Sequence, residues 1–299
     1  MVSSILRRVM RAKTAYFFLL PVLATLLILN VYPVATTIWL SFHELNLLRS
    51  PEPSWAGLGN FVHLLTRDGN FWLVMGNTMI WVIGSTVLQL IVAFGIAALL
   101  NRRFFGRKLA RTLILIPWVT PIIVVGIAWR WILNPEWGML NHYFLRWGLI
   151  QDPVTWLYNP NTVWPVLLLA SVWKGSPFMA LMLLAGLQTV PRSLYEAAIV
   201  DGANTVQLFR HITIPVMAPI IVIVTLITTM ETWNNFRMIW VLTEGGPGYR
   251  TTVVSVYIYF RSFQDFQLGM GSALAVVSVL TISILGILYI RMRARMSPL

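Results

Sequence analysis

FWLVMGNTMIWVIGSTVLQLIVAFGIAALL, residues 71–100, contains no Asp, Glu, Lys or Arg. A helix needs ~20 mostly apolar residues to cross the hydrocarbon layer of a bilayer, and this stretch is longer than that. Five more segments pass the same test: Thr14 to Leu40, Leu113 to Leu133, Val163 to Leu187, Ile212 to Leu242 and Leu268 to Ile290. With 58% hydrophobic and only 11% charged residues in 299, the chain is too apolar to disperse in water. The fold expected is an all-α polytopic membrane protein of about six transmembrane helices.

Orientation follows from the 22 Lys and Arg, because positive residues are held on the cytoplasmic side during insertion. Arg7, Arg8, Arg11 and Lys13 precede the first span; Arg102, Arg103, Arg107, Lys108 and Arg111 cluster after the second; Arg192 and Arg210 follow the fourth; Arg291, Arg293 and Arg295 follow the sixth. Both termini are therefore expected in the cytoplasm. The division is a basic N-terminal segment (1–13), a six-helix domain (14–290) and a basic tail (291–299). The first apolar stretch is about twice the length of a cleavable signal core, so it reads as a retained anchor. A net charge of +12 does not imply nucleic acid here, because the cations sit in short clusters between apolar runs.

The loops at 41–70, 134–162 and 243–267 fall outside and are rich in Trp, Pro and Gly. Pro33, Pro117, Pro121, Pro177, Pro215 and Pro219 lie in or beside spans and imply kinks in a packed bundle. Gly271, Ala275 and Ser278 share one face of the last span at a spacing suited to close helix contact.

With no cysteine, thiolate and disulfide chemistry are excluded, and His43, His63, His142 and His211 are too scattered for a metal site. The three lysines, Lys13, Lys108 and Lys174, follow Ala, Arg and Trp, so there is no phosphate-cradling Gly-Lys-Ser/Thr loop. The chain reads as a non-catalytic subunit that binds no cofactor.

One cytoplasmic loop stands out: PRSLYEAAIVDGANTVQLFRHITIP, residues 191–215. Ser193 followed by Glu196 is a capping-box pattern that places a helix start at Leu194. Gly202 supplies a left-handed stop, and Asn204 or Thr205 caps a second helix. Helix, tight turn and helix follow, with Leu194, Ala197, Ala198 and Val200 displaying apolar surface in water, either as a docking face or simply as good helix formers.

This segment resembles the EAA loop of bacterial ABC-importer permeases: Glu196, Ala197, Ala198, then Gly202, then Ile212 to Pro215. Asp201-Gly202-Ala203 and Pro219 resemble the carbohydrate branch, the maltose and glycerol-phosphate-like permeases. So do Leu115-Ile116-Pro117-Trp118, Trp129-Arg130-Trp131, Gly138 to Asn141, Trp173-Lys174, Pro177-Phe178 and Gly245-Gly246-Pro247. The long periplasmic insertion of some maltose permeases is absent. Arg237 departs from the branch, which often has an acidic residue there.

The resemblance implies that Glu196, Ala197, Ala198, Asp201, Gly202, Ile212 and Pro215 form a coupling helix gripped by an ATP-binding subunit. It implies two such subunits carrying ATP and Mg, a second homologous permease, an extracytoplasmic solute-binding protein, and location in the cytoplasmic membrane. It implies import of a sugar or sugar-like solute. An ion-coupled secondary transporter is the alternative, but it leaves the loop unexplained.

Charges within spans usually face a bundle interior or a pathway, since exposing one to lipid costs ~2.5 to 3.5 kcal/mol on insertion scales. Lys174, Glu231, Trp233, Asn234 and Asn235 are therefore the candidate substrate-pathway group. Amides and carboxylate would bond hydroxyls, and the indole would face a sugar ring. Interhelical polar contacts are the alternative for the same residues.

Overall fold

The computed structural model describes the backbone of residues 13–296 and the side chains of residues 17–291. The expected terminal segments, 1–13 and 291–299, thus fall outside the described side chains except for Arg291.

The elements are α1 (Lys13–Leu26), a π-helical turn (Leu27–Val31), α2 (Tyr32–Ser41), β1 (His43–Asn46), β2 (Ser50–Trp55), α3 (Gly59–Thr66), α4 (Phe71–Asn101), α5 (Arg107–Leu113), α6 (Ile116–Val119) and α7 (Ile122–Ile132). They continue with α8 (Met139–Arg146), α9 (Val163–Thr189), α10 (Arg192–Val200), α11 (Thr205–Leu208), a second π turn (Phe209–Thr213), α12 (Ile214–Trp233), α13 (Phe236–Thr243), α14 (Val254–Tyr259), a third π turn (Phe260–Gln264) and α15 (Leu268–Met296). Among the described residues five helices are long and apolar enough to cross a membrane, and six if one bent pair counts as a span.

The chain divides into two compact units. One contains the chain up to Arg67 together with Ile258–Val277. In its first span, Phe17–Ser41, the most apolar window has no buried residue, so within the isolated chain nothing covers it. The loop after it begins as an antiparallel hairpin in which His43 pairs with Trp55 and Asn46 with Ser50. Buried Asn60 fastens the hairpin by donating from Nδ2 to the carbonyls of Ser41 and His43, both at 2.9 Å.

The other unit, Asp68–Tyr257 with the chain from Ser278, holds the core. Ala93, Ala97 and Leu100 of α4 pack on Met179, Ala180, Leu183 and Leu184 of α9 and on Met217 and Val224 of α12. Lipid gives helices no hydrophobic reason to associate, so small residues that admit close van der Waals approach carry such packing. Gly175 is such a place: a Cβ there would run into the Gln89 side chain, which donates to Ser171 Oγ at 3.1 Å. Ser278, one of the small residues marked in the last span, accepts from Trp233 Nε1 at 2.9 Å.

Two expected spans need correction. The third is not continuous: Arg107–Val119 and Ile122–Ile132 meet at 89°. Pro121 is the cause, since its ring disfavours helical backbone at the preceding residue, and Thr120 is extended with ψ 131°. The fifth ends at Trp233 rather than Leu242, and Asn235 then opens α13 by accepting the Met238 amide on Oδ1 at 3.2 Å. Asn favours that local side-chain bond over continuing a helix.

Candidate functional site

A cavity of about 500 Å³ lies between α9, α12, the start of α13 and the break in the third span. Lys174, Glu231, Asn234 and Asn235, four of the five residues singled out from sequence, line it. Trp233 does not: it is 1% exposed, and its indole is turned to Ser278. One residue along a helix rotates the side chain by about 100°, so the tryptophan beside Asn234 points into the bundle. Gln89, Trp118, Thr228 and Arg237 also line the cavity and were not marked. Trp118 lies on the short helix that ends just before the break at Pro121, whereas Trp233 closes a long helix whose face there is packed inward.

Lys174 has a more particular role than expected. Its Nζ donates to the carbonyls of Pro117 at 3.1 Å, Trp118 at 2.6 Å and Thr120 at 2.7 Å. An ammonium has three hydrogens, and all three are engaged. The carbonyls ending the half-helix Arg107–Val119 lack intrahelical partners because the chain turns at Pro121, and a cation there also meets the negative end of the helix dipole. One turn farther along α9, the Phe178 ring stacks on Trp118, with centroids 5.0 Å apart and planes 13° from parallel. The two contacts fix both backbone and ring of Trp118 at the cavity wall.

The remaining polar groups are available. Neither the Glu231 carboxylate nor the Arg237 guanidinium makes a hydrogen bond or ion pair among the described residues, and both side chains are exposed in the isolated chain. Asn234 Nδ2 is held by the Met230 carbonyl at 2.9 Å, which leaves its oxygen free. The cavity thus offers acceptors, donors and an aromatic face, a combination suited to a polyhydroxylated solute.

At another place in the same unit, residues 191–215 form the expected helix, turn and helix. The start differs: α10 begins at Arg192 behind Pro191, with no side-chain cap, so Ser193 and Glu196 form no capping box. Pro191 is the N-cap, with extended backbone at ψ 131°, a place where its missing amide hydrogen costs no intrahelical bond. The end matches: Gly202 is left-handed at φ +80°, its amide bonds the Ile199 carbonyl at 3.0 Å, and the Ala203 amide bonds that of Ala198 at 2.9 Å. Those paired bonds make a Schellman turn. Asn204, not Thr205, caps α11 in a reciprocal capping box with Gln207.

Glu196, Ala197, Asp201, Gly202 and Pro215 are exposed. A shallow concavity of about 330 Å³ gathers Ala198, Asp201, Gly202 and Ile212 with Gln207 and His211, while Glu196, Ala197 and Pro215 lie outside it. Tyr195 was not singled out, yet its hydroxyl meets buried Thr213 Oγ1 at 2.8 Å and ties α10 to the foot of the fifth span.

Comparison with known proteins places the chain. The family model described as binding-protein-dependent transport system inner membrane component matches residues 89–298. The trehalose/maltose transport system permease protein MalF of Thermococcus litoralis is 34% identical over 94% of this chain and 93% of its own length. The sulfoquinovosyl glycerol transport system permease protein SmoG of Agrobacterium fabrum is 36% identical over 88% of this chain and 84% of its own. A chain in the crystal structure of a bacterial alginate ABC transporter, solved with an alginate-bound periplasmic protein, shares the fold at a TM-score of 0.81 and 24% identity, covering 97% of this chain and 96% of that one. The chain belongs to the family of inner-membrane components of binding-protein-dependent transport systems.

Proposed function

We propose that this chain is the permease subunit of an ATP-driven importer of a sugar or sugar-like solute, with residues 191–215 as the coupling segment on the cytoplasmic side. The observation that carries the reading is the exposed, rigid helix–turn–helix, closed by its Schellman turn and fastened to the fifth span through Tyr195 and Thr213. Exposed Leu194, Ile199, Val200 and Val206 give it the apolar surface a protein partner would cover. Closure of two partner ATPases would move this segment as a body and tilt the attached spans between inward-open and outward-open states. ATP and Mg belong to those partners, and a binding protein delivers the solute from outside, with a second permease completing the pathway. The names of MalF and SmoG support a saccharide, as does the cavity of Glu231, Asn234, Asn235 and Trp118.

The test is purification of the tagged full chain from its native membrane, followed by reconstitution with whatever co-purifies. An ATP-binding protein should accompany it, and uptake of a labelled saccharide should require ATP on the side where cysteines placed at Val200 are labelled. Ion-gradient-driven uptake by the chain alone would overturn the reading in favour of a secondary transporter.

A further inference from the structure

The connection between α4 and α5 reads RRFFGRKLAR, residues 102–111, and no Asp or Glu occurs between Asp68 and Glu136. The proposed coupling segment is different in kind, since Arg192 and Arg210 there are balanced by Glu196 and Asp201. Among the described residues the side chains of Arg102, Arg103 and Lys108 have no hydrogen bond or ion pair, so this cationic stretch is uncompensated. Between the cations lie two aromatic rings turned outward: Phe104 is 46% exposed and Phe105 fully so. Gly106, left-handed at φ +80°, makes the bend that presents them.

The length of the preceding helix bears on what covers this surface. The helix before it, α4, has 31 residues, which span about 46 Å at ~1.5 Å each. A bilayer with its headgroups is about 40–45 Å thick. A helix of that length that begins at one headgroup layer ends at the other, which would set Arg102 to Arg111 among lipid phosphates rather than in bulk water. Aromatic rings flanked by Lys and Arg suit that layer, the rings reaching the acyl boundary and the cations the headgroups.

We infer that residues 102–111 form a binding surface for anionic phospholipid headgroups, with Phe104 and Phe105 as its apolar anchor. The inference depends on the chain spanning a bilayer and not on its energy source or solute.

Because the chain has no cysteine, Leu109→Cys can carry a single bimane fluorophore in the full chain. Proteoliposomes would contain nitroxide-labelled phosphatidylglycerol or, separately, the same label on phosphatidylcholine. The expected result is roughly fivefold stronger quenching by phosphatidylglycerol, the factor that one surface cation supplies. The preference should vanish in Arg102→Gln/Arg103→Gln/Lys108→Gln and persist in Arg102→Lys/Arg103→Lys. If the neutralised chain fails to insert, salt serves instead: raising NaCl from about 0.05 to about 0.5 M shortens the screening length and should collapse the preference of the unsubstituted chain. Equal quenching by both lipids at low salt would overturn the inference. So would absence of quenching by either, which would place the segment in water and open to a soluble acidic partner.

Discussion

Replacing Lys174 by Met keeps most of the aliphatic stem and removes the ammonium that holds the bend in the third span. Three charge-assisted bonds are lost, at 3.1, 2.6 and 2.7 Å. A bond to a charged group contributes about 1.5–3 kcal/mol when buried, but this site is partly open to solvent, so about 2–4 kcal/mol in total is the working figure. The geometric consequence is larger than the energetic one. From Leu109 to Val119 and from Ile122 to Trp131 the two arms are roughly 15 and 13.5 Å long at ~1.5 Å per residue. Meeting at 89°, their ends lie roughly 20 Å apart; straightened, they would be roughly 30 Å apart. Spin labels on Leu109→Cys and Trp131→Cys, read by pulsed dipolar spectroscopy, should give one narrow distance near the shorter value. In Lys174→Met the distribution should widen toward the longer one, and Lys174→Arg should restore much of it. An unchanged distribution together with unchanged thermal stability would refute the clamp.

Gly202→Ala should destabilise the Schellman turn by about 1–2 kcal/mol through backbone strain at positive φ, while Gly202→Asn is tolerated better; association with the proposed ATP-binding partner, measured by co-purification, should fall more for Ala than for Asn. Tyr195→Phe removes a 2.8 Å bond of about 0.5–1.5 kcal/mol, and uptake per ATP hydrolysed should drop while hydrolysis itself persists. Gly175→Ala drives a methyl into Gln89 and should lower stability by about 1–3 kcal/mol, with partial rescue by Gln89→Ala in a thermal assay.

The spans were legible because length and apolarity are one-dimensional properties: α4, α9 and α15 begin within a residue of the expected positions. The turn at Gly202 was legible for a similar reason, as a glycine after an amphipathic run is a local signal. What sequence did not yield depends on rotation and on partners distant in the chain. Trp233 and Asn234 are adjacent, yet one faces Ser278 and the other the cavity. The Lys174 carbonyl partners are more than fifty positions away. Arg237 and Gln89 reach the cavity only because α13 starts afresh after the Asn pair and because Gly175 leaves room for an amide side chain.

Helix α9 joins these two regions mechanically. Its helical backbone continues from Lys174 through Pro177 to Thr189, about 22 Å at ~1.5 Å per residue, and α10 follows after two residues. Pivoted near its middle, such a lever moves each end by about 2 Å for a tilt of about 10°. Hydrogen bonds fail well before that displacement. Under the proposed function, a push at α10 would reach the wall behind Trp118 as a choice between holding and letting go, a latch rather than a graded deformation.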